Sequence, residues 1–295
     1  MALMEQPGVL YVVATPIGNL EDITLRALKI LKEVDLIAAE DTRVTIKLLN
    51  HYEIKTPLVS YHEHNKRGQG PKLIGLLQEG KNIALVSDAG TPGISDPGQD
   101  LVKLAIEAGI EVVPLPGAAA VISALVASGL STERFAFEGF LPKKAGERDK
   151  RLAELAPDPR TLIFYEAPHR ITKTLKALKD GLGNRKAVIA REMTKLHEEF
   201  IRGTLEELIQ KFAETAPKGE MVIVLEGAGA DSKPGKENSP GWDPELSAIE
   251  RKSKLESIIE DKIRKGFSKN QALREAAKEL GISRNEAYEL LINKS

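Results

Sequence analysis

The twelve residues SDAGTPGISDPG, Ser87 to Gly98, come directly after the apolar run Ile83-Ala-Leu-Val86 and constrain the chain more than any other stretch. Ile83 to Val86 reads as a short buried strand, because it is apolar, brief and bounded at once by turn residues. The twelve residues after it cannot be helical. Two prolines and three glycines fix some backbone angles, free others, and remove side-chain bulk where another molecule could approach. Asp88 and Asp96 put carboxylates in the loop, and Gly90 and Gly93 are expected to leave backbone amides and carbonyls uncovered. Ligands bind by preference at a loop on the carboxyl end of a strand in an α/β sheet. The bland alternative is a tight surface connection.

The rest of the chain supplies such a sheet. Val9 to Ala14, Leu36 to Ala39, Leu58 to Ser60 and Glu111 to Leu115 are predicted strands. Helical patterns alternate with them. In the first, Asp22 is the expected N-cap and Leu25, Leu28, Ile30 and Leu31 the buried side. The next is expected over about Val44–Asn50. Leu73, Ile74, Leu76 and Leu77 line a third after the polar segment Tyr61–Arg67, and a fourth spans about Asp100–Ala108. This alternation implies a mostly parallel sheet covered on both faces. From Gly117 a small-residue helix, Ala118 to Leu125, opens a second half. Its strand candidates are Phe135–Phe137, Thr161–Tyr165, Ala187–Arg191, Phe200–Arg202 and Met221–Leu225, with helices near Arg170–Leu178 and Leu205–Phe212. Strands that succeed one another without a helix, around 187–202, imply antiparallel pairing and a mixed sheet.

Gly227 to Asp243 is rich in glycine, proline, serine and charge and reads as a mobile linker. Beyond it come an amphipathic helix, Ile249–Ile263, and two shorter helices around Gly281, with Ser268 and Ser283 as N-caps, in a helix-turn-helix-like pattern. A plain three-helix packing module is the alternative. The expected domains are 1–116, 117–228, a linker at 229–244 and a helical module at 245–295. The fold class is thus α/β: two α/β domains, the second with a mixed sheet, and a small helical appendage.

Composition excludes several chemistries. The 295 residues include no cysteine, so disulfides, thiolate metal sites and a cysteine nucleophile are absent. The formal net charge of −1 argues against a uniformly basic coat but leaves room for a local patch. The start, MALMEQPG, does not read as a signal peptide, and no apolar run reaches membrane-spanning length, so a cytoplasmic protein is expected. Ala14 to Asn19 lacks the Gly-x-Gly-x-x-Gly spacing of a dinucleotide site, and no Gly-Lys-Ser/Thr phosphate loop occurs. His62 and His64 share a face of an extended segment but lack an evident third ligand, so no metal site is expected.

The Ser87–Gly98 signature closely resembles that of the bacterial small-subunit rRNA 2′-O-methyltransferase I family, a branch of the tetrapyrrole-methylase superfamily. Ala14-Thr-Pro-Ile-Gly-Asn-Leu20, Ala38-Ala-Glu-Asp-Thr-Arg43, Pro114-Leu-Pro-Gly117, Thr161-Leu-Ile-Phe-Tyr-Glu166 and Lys218-Gly-Glu-Met-Val222 resemble its motifs in the same order. The resemblance implies S-adenosylmethionine in a cleft between two α/β domains, held by Pro16, Asp88, Ala89, Gly90, Thr91, Pro92, Ala119, Ala120, Tyr165 and Ala190. It implies 2′-O-methylation of a cytidine ribose in the decoding region of 16S rRNA, on the small ribosomal subunit, by a homodimer. The first loop, Thr15-Pro-Ile-Gly18, departs from the glycine-richer loop of the tetrapyrrole enzymes, which weakens any inference of a porphyrin-like substrate. Two other readings stay open: a small-molecule methylase of the tetrapyrrole type, and a nucleic-acid-binding regulator with an α/β ligand-sensing body.

A ribose hydroxyl is a poor nucleophile, so a base or a cation that favours the alkoxide would help. Strand ends offer Asp41, Arg43 and Glu192 first, with Glu166, Arg191, His62 and His64 behind them. Each has a plain structural alternative as a salt bridge or loop hydrogen bond. Basic residues from Lys143 to Arg151, with Lys66 and Arg67, are candidates for phosphate contacts, and a solvated charged face is their alternative.

Overall fold

A computed structural model describes residues 6–214, 219–229 and 248–280, with Ile282, Ala287, Tyr288, Leu290 and Leu291. Its first half alternates β1 (Val9–Val13), α1 (Leu25–Glu33), β2 (Leu36–Ala39), α2 (Thr42–His51), β3 (Leu58–Ser60), α3 (Lys66–Gln78), β4 (Ile83–Val86), α4 (Gly98–Glu107) and β5 (Glu111–Leu115). The strands lie in the order β3-β2-β4-β1-β5, every pair parallel. Burial on both faces explains why Ile83–Val86 is a continuous apolar run rather than an alternating one. On one face Ala27, Leu31 and Leu49 of α1 and α2 pack on the sheet. On the other, Leu73, Leu77 and Leu101 of α3 and α4 do so. From β1 the chain crosses to β2 by way of α1; from β4 it crosses to β5, on the opposite side, by way of α4. The crevice between β1 and β4 is therefore a topological switch point, where open α/β sheets bind ligands.

The second half holds α5 (Ala120–Ser128), β6 (Phe135–Phe140), α6 (Ala145–Leu155), β7 (Thr161–Glu166), α7 (Ile171–Leu182), β8 (Lys186–Arg191), β9 (Glu199–Thr204), α8 (Leu205–Glu214) and β10 (Met221–Leu225). The order is β6-β7-β10-β8-β9, with β6 and β7 parallel and the remaining pairs antiparallel. The expected mixed sheet is present. Leu152, Leu175, Leu178 and Leu208 of α6, α7 and α8 cover one face, and α5 covers the other through Val121, Ala124 and Leu125. Beyond the second sheet, α9 (Ala248–Arg264) and α10 (Lys269–Glu279) share a separate core of Leu255, Leu273, Ala276, Ala277 and Leu280, joined by Ala287. No described helix is long and apolar enough to cross a membrane.

Several expectations are corrected. The N-cap of α1 is Thr24, whose hydroxyl accepts from the Ala27 amide at 3.1 Å, while Asp22 lies in a preceding 3-10 turn. That shift leaves Leu25 87% exposed. Helix α3 starts at Lys66, inside the segment read as polar loop, and runs through Gly68, Gly70 and Pro71. Gly70 permits close packing there: a Cβ on it would lie 2.9 Å from Leu104 Cδ1 of α4. Ala118 and Ala119 precede α5 rather than belonging to it, Ala119 being extended at φ −145°. Most of the presumed linker, from residue 230, lies outside the described residues, as do Lys218, Gly281, Ser283 and Arg284.

Candidate active site

The loops after β1 and β4 are clipped together at the switch point. Thr15 and Gly90 exchange both backbone hydrogen bonds, at 2.9 and 3.0 Å, and Gly90 takes φ +84°, a conformation that favours glycine. Asp96 closes the signature loop by accepting from the amides of Gly93 and Gly98 at 2.7–2.9 Å. The expectation of uncovered backbone groups is thereby corrected for the amide and carbonyl of Gly90 and for the amide of Gly93, which have partners. Thr91 Oγ1 donates to the carbonyl of Ala118 at 3.1 Å and ties the signature to the entry of α5.

Opposite these loops the second sheet forms a wall. A cleft of ≈ 330 Å³ is lined by Ile17 and Ala89 from the first half and, from the second, by Ala120, Phe140, Tyr165, Glu166, Ala167, Pro168, Met193, Glu220, Met221 and Val222. Antiparallel pairing aligns Met221 with Glu166 on one side and Arg191 on the other, which gathers distant segments at one edge. Tyr165 meets Phe137 and Phe140 edge-to-face, with centroids 4.8 and 5.8 Å away, and burial raises its phenol pKa. The halves touch closely at Gly18, where a Cβ would lie 2.6 Å from Lys195 Cγ and 2.9 Å from the Met193 carbonyl oxygen. The facing loop is strained: Glu192 and Thr194 have φ of +50° and +65°.

Of the residues inferred to hold a cofactor, Ala89, Ala120 and Tyr165 line this cleft. Pro16 lies in the clipped first loop between Thr15 and Ile17, and Gly90, Thr91 and Ala119 form its supporting turns. Pro92 is buried in the signature loop. Ala190 is buried in β8, among the residues that pack behind Tyr165. Asp88 accepts from the amide of Asp41 at 2.9 Å, which couples the ends of β4 and β2.

The proton-transfer candidates have unequal surroundings. Asp41 caps α2 through the Arg43 amide and pairs with the Arg43 guanidinium, which holds its carboxyl at about 2. Glu192 pairs with Lys195 at 2.9 Å and accepts from the Glu220 amide, which lowers its pKa. Glu166 is buried and accepts from the Thr174 hydroxyl and the Ala167 amide, with Arg170 at 3.4 Å. Arg191 pairs with Glu199. The rings of His62 and His64 lie 6.0 Å apart, and no group able to hold a metal occurs among the described residues. Sequence reasoning passed over Glu40. Its carboxylate sits between the ends of β2 and β4 and accepts from the Asp88 amide at 3.3 Å; burial first, then the nearby Asp88, Asp96 and Asp41, raise its pKa. Its place directly before Asp41 at a strand end was the available signal. Several of the presumed phosphate-binding cations are engaged with carboxylates: Lys66 with Glu63 and Asp100, Lys144 with Glu147, Arg148 with Asp149, and Arg151 with Glu138 and Glu154.

This fold is also that of known proteins. The family of tetrapyrrole (corrin/porphyrin) methylases matches residues 9–209. Among solved structures, a uroporphyrin-III-C-methyltransferase from Thermus thermophilus superposes with a TM-score of 0.53 at 23% identity, over 74% of this chain and 94% of that one. A cobalt-precorrin-4 methyltransferase of cobalamin biosynthesis superposes with a TM-score of 0.55 at 19% identity, over 73% and 94%. The family match thus places the chain in the tetrapyrrole-methylase class. Sequence relatives are far nearer. Proteins named ribosomal RNA small subunit methyltransferase I are 50% identical in Synechocystis, over 96% of this chain and 97% of theirs, and 49% identical in Bacillus subtilis, over 96% and 93%. The chain belongs to the ribosomal RNA small subunit methyltransferase I family.

Proposed function

We propose that the protein transfers a methyl group from S-adenosylmethionine to the ribose 2′-hydroxyl of a cytidine in the decoding region of 16S rRNA. The observation that carries this is the composition of the cleft. Apart from Phe140, which also faces the adjoining hollow, its lining holds two carboxylates, the ring of Tyr165 and otherwise small or apolar residues, with no lysine or arginine. Such a site suits a small cationic ligand with a flat base better than a polyanionic nucleotide. Ala89 and Ala120 leave room, Tyr165 offers a ring face, and Gly90 lets the signature turn pass close to Ile17. When bound, this donor supplies an electrophilic methyl carbon on a positively charged sulfur. The chain's part is to hold the donor in a fixed pose and align the hydroxyl with it, and positioning of this kind contributes roughly 7–11 kcal/mol.

Among the carboxylates at the strand ends, Glu40 suits proton acceptance best. A base works most effectively when its pKa lies near the working pH; burial moves Glu40 in that direction, whereas Arg43 and Lys195 hold Asp41 and Glu192 the other way. Asp41 and Arg43 then keep the end of β2 in place beside it.

The substrate is assigned to the small ribosomal subunit in the cytoplasm, and the active form to a homodimer. The two helices after residue 247, with a core of their own, suit a tethered module that helps to hold the RNA. Mass spectrometry of 16S rRNA from a deletion strain tests the main assignment, and unchanged ribose methylation there would refute it. Light scattering that finds monomer alone at micromolar concentration would refute the dimer.

A further inference from the structure

Strand β6 is an edge strand of the second sheet, and it is not regular. Its pairing with β7 slips between Phe137 and Gly139: Phe137 lies opposite Ile163, Gly139 opposite Phe164 and Phe140 opposite Tyr165. One extra residue, Glu138, is accommodated, and Gly139 takes φ +64°. In an unbroken strand residues three apart face opposite ways. Here Phe137 and Phe140 both meet the ring of Tyr165. The bulge therefore turns Phe140 from the face covered by α6 and α7 to the face of the cleft, the kind of re-aiming bulges perform beside active sites.

Phe140 is 52% exposed, which is costly for a ring that the bulge could have left elsewhere. It lines the cleft and also an adjoining hollow between β6 and α6, with Pro142, Lys150, Glu147 and Arg151, the last paired with Glu138 and Glu154. A ligand contained wholly in the cleft would not need a ring that faces both. A polymer whose reacting nucleotide enters the cleft must continue past this rim. Single-stranded RNA is gripped by aromatic side chains on which unstacked bases lie. On the reading of the chain as an rRNA methyltransferase, we propose that Phe140 is a stacking platform for a base of the RNA substrate at or next to the methylated nucleotide, and that the bulge at Glu138–Gly139 exists to present it. Phe140 is thus a substrate-positioning residue and takes no part in donor binding.

The test compares Phe140→Leu and Phe140→Tyr with the unmodified protein, using small ribosomal subunits from a deletion strain and titration calorimetry with S-adenosylmethionine. Exposure of the ring allows both variants to fold, which a thermal melt checks. Phe140→Leu should raise KM for the subunit roughly 10-fold, the scale of one lost base–aromatic stack. Donor affinity should be unchanged, and Phe140→Tyr should stay close to the unmodified protein. A decoding-region oligonucleotide carrying 2-aminopurine beside the target cytidine should be quenched by the unmodified protein and not by Phe140→Leu. An unchanged KM in Phe140→Leu overturns the proposal, as does a parallel loss of donor affinity, which would place the ring against the donor. If the unmodified protein methylates no ribose on these subunits, the underlying assignment fails instead, a distinct result.

Discussion

The first sheet is parallel and sandwiched between helices, and it meets the cleft with loops; the second is mixed, and it meets the cleft with the ends of β6, β7 and β10 and the turns beside them. Ile17 and Ala89 are all that the first half adds to the lining, whereas ten residues come from the second. The difference stems from topology. A parallel sheet with both faces covered has no free face, so its open end must do the binding through backbone turns. A sheet with α5 on one face leaves the strand ends beside that helix for a ligand. The first half shapes the site with turns and carries the proposed base, and the second supplies most of the wall.

The contrast is sharpest at Gly90. Valine there would be forced into φ +84° and its Cβ would approach Ile17 Cγ2 at 3.3 Å. Gly90→Val should lower affinity for S-adenosylmethionine by about 100-fold or more, with only a modest fall in melting temperature, since strain at one residue costs of order 1–3 kcal/mol. Full affinity in calorimetry would show that the first half does not shape the site. Glu40→Gln should come next, with kcat down about 100-fold, within the usual range for a lost general base. The sign is definite. The reacting form is the carboxylate, so kcat/KM of the unmodified protein should rise with pH through a pKa above the ordinary carboxylate range, and Glu40→Gln should lose that limb. A variant with the same limb would return proton transfer to the second half.

Smaller effects are expected where the halves only touch. Gly18→Val must displace the Lys195 stem and the Met193 carbonyl, and should cost about 1–3 kcal/mol of stability, the scale of overpacking, as read by urea denaturation. No change would mean that the halves separate freely at this point. Truncation after Gly229 should have the smallest effect on the cleft: donor affinity unchanged, with methylation of subunits weakened more steeply as salt rises. A truncated protein equally active across salt would make α9 and α10 a packing element.

The same division explains what could be read beforehand. Ser87 to Gly98 is conspicuous because a backbone-shaped site demands glycine and proline at fixed places, and both types are visible in a sequence. The alternation of strands and helices was legible for the same local reason. The wall was not. No spacing links Met193, Glu220 and Glu166 to one another, and only the antiparallel pairing of β7, β10 and β8 brings them together. The start of α3 was hidden by Gly68, Gly70 and Pro71, whose poor helix propensity is outweighed by packing against α4. Asp22 and Thr24 are both competent caps, and the choice between them is tertiary.

The irregularity in β6 has one more consequence. The segment FAFEGF (Phe135–Phe140) is aromatic and lies at an open edge, so an unbroken strand there would offer a flat row of free amides and carbonyls to any other extended chain. A slipped register at Glu138 interrupts that row, and the half-exposed Arg151 guanidinium that pairs with Glu138 sets a bulky polar group beside it. The feature that turns one ring toward the cleft thereby also guards the sheet against edge-to-edge aggregation at the crowded concentrations of a growing cell.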